Sequence, residues 1–247
     1  VKIHHETSDE LCEAVRAEGC DTVLVSFSRG KDSYAVVEKL RRYFGRVVLF
    51  HLDLLPEPLR IETEAIERWQ ARGGEPVLRY THPGTLKQLR AFVYQTPARV
   101  AAIQAADLPR DYTIDAIEAD VRRRAGAPSA WVALGLRAAD SIQRRTHFKT
   151  HGSVMLAPRA FYPVFDYTID DVDRAVRRLG IPLPNDYNLF GRSLDAISHD
   201  FLAPLRAAYP DDYERILKWF PLAEAGVHRT TLRANRRIDR TTARSTP

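Results

Sequence analysis

Cysteine is almost missing from this chain: Cys12 and Cys20 are the only two in 247 residues. That excludes a disulfide framework and a metal site built from thiolates alone, and the expected home is reducing and cytoplasmic. Long apolar runs are missing as well. None approaches the roughly 18 residues of a membrane helix, so no membrane partner is expected. The polar opening, residues 1–13, lacks the apolar stretch of a signal peptide. Val1 rather than Met opens the chain, which leaves room for native residues upstream. Lysine is scarce too, confined to Lys2, Lys31, Lys39, Lys87, Lys149 and Lys218, so arginine carries most of the positive charge.

Hydrophobic residues make up 45% of the chain, enough to bury a real core and too many for a disordered or fibrous protein. The length suits one large domain, or one domain with a small appendage. The net charge of +5 is local. From His228 to Pro247 there are six arginines (Arg229, Arg233, Arg236, Arg237, Arg240, Arg244) against Asp239 alone, which accounts for all of it. The expected division is an N-terminal helix over 1–20, a nucleotide-binding α/β domain over 21–180, a helical extension over 181–227 and a basic, mobile tail over 228–247.

Residues 21–28 read as a short buried strand, followed by Arg29-Gly30-Lys31 and a helix from Asp32 with Val36, Leu40 and Tyr43 on one face. Gly45 stops it, and residues 46–53 form a second strand. A helix with Ile61, Ala65 and Trp69 in step runs to Gly73-Gly74, before a third, weaker strand at 76–80. The stretch 83–124 is mostly helical in pattern, and residues 130–136 are the fourth strand. Thr168, with Asp171 three residues on, caps a helix through Leu179; after a proline-rich connector, two helical runs extend to about Phe220. Strand and helix alternating at this spacing predict a parallel α/β sheet with right-handed crossovers.

Ser28-Arg29-Gly30-Lys31-Asp32-Ser33 lies where a parallel strand hands over to a helix, so free amides and the positive dipole end face whatever binds there. Gly30 admits an anion close to the backbone, Lys31 adds a charge, and Ser28 and Ser33 add hydroxyls. A phosphate site follows. It is not a Walker A loop, since position 25 is Val and Asp32 stands where Ser or Thr should follow the lysine.

This loop resembles the pyrophosphate (PP) loop of the adenine nucleotide α-hydrolase-like superfamily, and within it the phosphoadenosine phosphosulfate (PAPS) reductase family. Phe50-His51-Leu52-Asp53 is similar to that family's strand-two end, with Leu54-Leu55 replacing Thr-Gly. Gly135-Leu136-Arg137, Ser141 and Arg144-Arg145 resemble its G-x-R-x-x-x-S-x-x-R segment. Residues 162–172, then Leu183-Pro184-Asn185 and Leu189-Phe190-Gly191, continue the likeness in order over roughly 20–195. The resemblance implies a Rossmann-like sandwich, ATP as ligand with Mg²⁺, and phosphates on Ser28, Arg29, Gly30, Lys31, Asp32 and Ser33. It also implies adenine near the end of strand two, Gly135 and Arg144 in the binding set, and Lys31, Arg137 and Asp53 as the catalytic residues. It leaves room for a homodimer. PAPS reductases attack sulfur with a cysteine near the C-terminus, and nothing beyond Cys20 is a cysteine here; the four-cysteine iron–sulfur set of some relatives is absent too.

Weaker signals remain. His51 shares a strand face with Asp53 and is a candidate base. His147 and His151, four apart, lack a third metal ligand in view and read as surface residues. Asp140 and Asp53 are candidates to hold Mg²⁺ through water. Trp69, Trp131 and Trp219 fit core or helix faces. Three functions stay open: an enzyme that splits ATP between its α- and β-phosphates and adenylates an acceptor, a sulfonucleotide-binding homologue that borrows an external thiol, and a nucleotide-binding module without turnover. The arginine-rich tail adds nucleic acid as a candidate partner.

Overall fold

The computed structural model describes residues 7–225. The first six residues of the expected N-terminal helix and the whole of the expected basic tail lie outside the described residues. Helix α1 (Ser8–Ala17) is closed by a reciprocal cap between Thr7 and Glu10. Then follow β1 (Thr22–Ser26), α2 (Lys31–Leu40), β2 (Arg46–Asp53), α3 (Arg60–Ala71) and β3 (Val77–Thr81). The stretch expected to be helical holds α4 (Pro83–Arg90), α5 (Pro97–Ala105) and α6 (Ile114–Ala125). Next come β4 (Trp131–Ala133), a 3₁₀ turn at Ala138–Asp140, α7 (Ile142–His151), β5 (Val154–Met155), β6 (Ala160–Phe161) and α8 (Ile169–Leu179). The chain closes with α9 (Asp186–Phe190), α10 (His199–Ala208) and α11 (Pro210–Trp219).

The strands form one sheet in the order β3-β2-β1-β4-β6-β5, parallel throughout except for the β5–β6 pair. This is the predicted parallel α/β sandwich. The edge pair β5–β6 was not expected from the sequence. Two residues per strand are too few to show a period of two.

The middle of the sheet is covered on both faces, which is why β4 and the centres of β1 and β2 are apolar in consecutive positions rather than alternately. Val23 and Val25 join α1, α2 and α8 in one core, whereas Leu24, between them, joins α6 in another. A third core ties α10 and α11 to Leu55, Leu59 and Ile61 at the start of α3 and to Leu89 of α4. The C-terminal helices are thereby fastened beside the carboxyl ends of β1 and β2. Among the described residues, no helix is long and apolar enough to cross a membrane.

Chain order reverses between β1 and β4. The loop after β1 and the loop after β4 leave in opposite directions there, opening the crevice where parallel sheets bind ligands.

Candidate functional site

Four residues connect β1 to α2, and each has a distinct local task. Phe27 extends the β1–β2 pairing by donating its amide to the Phe50 carbonyl at 2.8 Å, and packs its ring on Tyr34 and Trp69. Ser28 is exposed at the rim. Arg29 adopts a left-handed conformation, φ 66°, which turns the chain into the helix. Gly30 is the N-cap of α2. A Cβ on Gly30 would lie 3.2 Å from Ser193 Oγ, 3.3 Å from Ser28 Oγ and 3.4 Å from Tyr187 Oη, so the glycine keeps a narrow hydroxyl-lined seat open.

The first amides of α2 have no acceptor inside the helix. Lys31 N donates to Tyr187 Oη at 2.8 Å. Ser33 Oγ donates to the Gly30 carbonyl at 2.7 Å and is buried, so this hydroxyl braces the first turn. Gly135 lies against the same turn. Its Cβ would sit 3.3 Å from the Asp32 carbonyl carbon and 3.4 Å from Ser33 N, a tight contact with backbone that would press on the first turn of α2.

The structure turns the Arg29 side chain away from the crevice. Its guanidinium, 1% exposed, meets Asp186 at 3.0 Å and Glu62 at 3.7 Å beneath the loop. Arg137 is brought to the crevice as expected, but not as a free group. It is buried, with Nε 2.7 Å from Asp32 Oδ1, a second pairing to Asp140 and a bond to the Tyr167 carbonyl at 3.3 Å. Arg144 pairs with the other oxygen of Asp140, and Lys31 Nζ stands 3.3 Å from Asp32. Lys31, Asp32, Arg137, Asp140 and Arg144 thus form a chain of three cations and two carboxylates across the crevice. An arriving anion meets a surplus positive charge already held in place.

Asp53 is placed differently from a free catalytic carboxylate. It is 3% exposed and clamped by Arg79, whose Nε lies 3.1 Å from Oδ2. Burial pushes its titration up, against the pull of Arg79. His51 Nδ1 donates to the Phe27 carbonyl at 2.8 Å, leaving Nε2 facing Glu62 at 3.5 Å and Asp53 at 3.8 Å. Burial alone would raise the Glu62 carboxyl, but the hydrogen bond and charge of His51, with Arg29 and the Leu54 amide, hold it below its usual value. His51, Asp53 and Glu62 have metal-ligand spacing and, among the described residues, are the one group of three that does. Each carboxylate is already faced by an arginine, so a divalent ion added there would meet two guanidiniums. The trio is an ion-pair cluster under the site.

Above it lies a cavity of about 220 Å³, lined by Ser28, His51, Leu52, Leu54, His82 and Leu194 among others. His82 caps α4 by accepting from the Gly84 amide, and burial holds it below the usual histidine range, as does the charge of His51. Two larger clefts of about 510 Å³, one beside Arg90 and Arg110, the other beside Glu118 and Arg159, contain none of the loop residues.

Mg²⁺ keeps several waters and takes one or two carboxylates plus phosphate oxygens. Asp32 and Asp140 are more open to the crevice than Asp53, but each is already paired with two cations as Asp53 is with Arg79, so an ion here would rest chiefly on phosphate oxygens and its own waters. His147 and His151 stack on α7, ring centroids 4.9 Å apart, with no third ligand among the described residues. Trp69 and Trp131 are buried in the core and Trp219 packs on the C-terminal helices.

Sequence reasoning missed Glu62, Arg79, Asp186, Tyr187 and Ser193. Asp186 and Tyr187 fall between the two segments, 183–185 and 189–191, on which the family resemblance rests. Their signal was the polar triplet Asn185-Asp186-Tyr187 closing a proline-rich connector.

No protein-family model matches the chain, and no curated protein sequence does. Solved structures of similar fold include an NH₃-dependent NAD synthetase from Campylobacter jejuni: 12% identity, TM-score 0.41, covering 92% of this chain and 94% of that one. A U34-tRNA thiolase from Methanococcus maripaludis matches at 13% identity and TM-score 0.39, covering 88% and 79%. A PAPS reductase from Candida auris matches at 13% and 0.39, covering 76% and 93%. At these identities and TM-scores the likeness assigns neither family nor activity to this chain.

Proposed function

We propose that this protein binds ATP, with the phosphates on the loop from Ser28 to Ser33 and the base toward the cavity beside His51 and Leu54, and cleaves it between the α- and β-phosphates. The observation that carries this reading is the seat at Gly30, where backbone amides and hydroxyls converge beside a chain of charges with one cation in excess. In the reaction, an acceptor's nucleophilic atom bonds to the α-phosphorus, the bond to the bridging oxygen breaks, and pyrophosphate leaves with the electron pair. The acceptor's proton passes to solvent or a nearby base. Charge grows on the leaving pyrophosphate, beside the α2 amides, Lys31 and Arg137, whose ion pairs with Asp32 and Asp140 keep the two cations at the crevice. Mg²⁺, carried by the phosphate oxygens and its own waters, would add charge neutralisation there.

Sulfonucleotide reduction through the chain's own thiol is not favoured. Cys12 is fully buried in the core and burial pushes its thiol up to about 12, so it offers no thiolate.

Lys31→Ala tests the reading. Loss of one charge-assisted contact should weaken ATP binding about 10- to 150-fold, measured by calorimetry, and chromatography of wild-type incubations with Mg²⁺ and candidate acceptors should show AMP-containing product and pyrophosphate. An unchanged dissociation constant for the variant would remove the loop from consideration.

A further inference from the structure

The seat at Gly30 is made by two distant parts of the chain, and none of its three hydroxyl protons meets an acceptor among the described residues. Tyr187 Oη accepts the Lys31 amide, and among the described residues this is its one hydrogen bond, so the phenolic proton has no protein acceptor. Ser193 Oγ, on the turn after α9, has no hydrogen-bond partner among them either. Ser28 Oγ takes only a long contact, 3.4 Å, from Gly30 N. All three oxygens lie within 3.4 Å of the point a Gly30 Cβ would occupy. Three hydroxyls whose protons meet no acceptor among the described residues converge beside the amide end of α2, and two of them, Ser28 and Ser193, line the cavity of about 220 Å³, an arrangement an oxyanion satisfies by taking those protons.

We propose that Tyr187 and Ser193 are phosphate-binding residues, the C-terminal segment's half of the anion site, each donating its hydroxyl proton to an oxygen of the pyrophosphate moiety. The inference rests on the function proposed above and adds to it the residues that complete the site. Tyr187 could instead be a plug that an arriving phosphate must expel. Its anchoring argues otherwise. The preceding residue, Asp186, is wholly buried, accepts both from the Arg29 guanidinium and from the Leu194 amide, and so fixes both ends of the turn that carries Tyr187 and Ser193. With that turn fixed, the phenol can leave only by turning about its own side-chain bonds, which gives up its bond to the Lys31 amide. Burial also raises the phenol's titration, so it remains a proton donor at neutral pH.

Calorimetry with inorganic pyrophosphate, ATP and adenosine, on the full chain and on Tyr187→Phe, Ser193→Ala and Lys31→Ala, decides the matter. Each hydroxyl deletion should weaken pyrophosphate and ATP about 5- to 30-fold and leave adenosine binding unchanged. Unchanged pyrophosphate affinity in Tyr187→Phe makes the phenol a structural prop, and tighter binding makes it a plug; either result overturns the proposal. Should the Phe variant not fold, as judged by its urea midpoint, Ser193→Ala carries the test on the same terms. If wild type binds neither pyrophosphate nor ATP, the function proposed above falls and this subsite with it. If wild type binds and only Lys31→Ala weakens it, the subsite falls alone.

Discussion

Arg29 shows how a residue can be read correctly as part of a loop and wrongly as to its role. Its place between Ser28 and Gly30 suggested a phosphate ligand, yet a left-handed backbone at a non-glycine residue persists only when its surroundings over-determine it. Asp186 and Glu62 do so, holding the guanidinium under the turn. Nothing local announces such a pairing, because both partners are remote in sequence. Glu62 gives the cluster a pH signature. Its carboxyl is held below the ordinary value near 4.5 by His51 and Arg29 despite burial. A depressed carboxyl contributes stability that is fully present above its unfolded value and is lost as pH falls through the folded one. Urea unfolding of the wild type should therefore lose stability below about pH 4.5, and Glu62→Gln, though less stable at neutral pH, should show a flatter acid limb. Parallel limbs in the two proteins would mean that other carboxylates set the acid response.

At the scale of elements, legibility followed length and capping. The second strand was read at its observed bounds because eight consecutive residues carry the pattern. Helix α8 was read from its cap: Asp171 accepts from Thr168 N at 2.8 Å and from Thr168 Oγ1 at 2.6 Å, and its own amide returns to Oγ1. Removing that cap with Thr168→Ala should cost about 1 kcal/mol in unfolding free energy, a shift in urea midpoint with unchanged slope. A changed slope would point instead to looser packing of α8 on the sheet. The fourth strand was read too long. Hydrogen bonding continues as far as Leu134, but Gly135 then lies against α2 and the chain departs to place Arg137 in the crevice. Apolar composition cannot reveal where a strand stops pairing and a site begins.

For the whole molecule, the parallel sheet followed from strand–helix alternation and the loop from the handover of its first strand to a helix, whereas the strand order that opens the crevice did not, and Arg137 was singled out by the family resemblance. The second half of the site did not follow either, since 181–195 carries too little regular structure to project in three dimensions. Charge is also divided at this scale: the tail from His228 holds the whole net charge. If that tail grips nucleic acid, deleting 228–247 should abolish salt-sensitive DNA and RNA binding, compared at two salt concentrations, and leave ATP affinity unchanged. Equal retention by both forms would clear the tail. The ion pair from Arg29 to Asp186 spans 157 positions, and the bond from Lys31 to Tyr187 spans 156. During translation, the amide end of α2 leaves the ribosome roughly ten to thirty seconds before the residues that complete it, at ordinary elongation rates. Through that interval Arg29 has Glu62 but not Asp186 to meet, and the Lys31 amide has no phenol to receive it. A chain broken off before Asp186 therefore lacks the carboxylate and the hydroxyls that finish the turn at Gly30, and a closed turn there becomes the mark of a chain grown past Leu194.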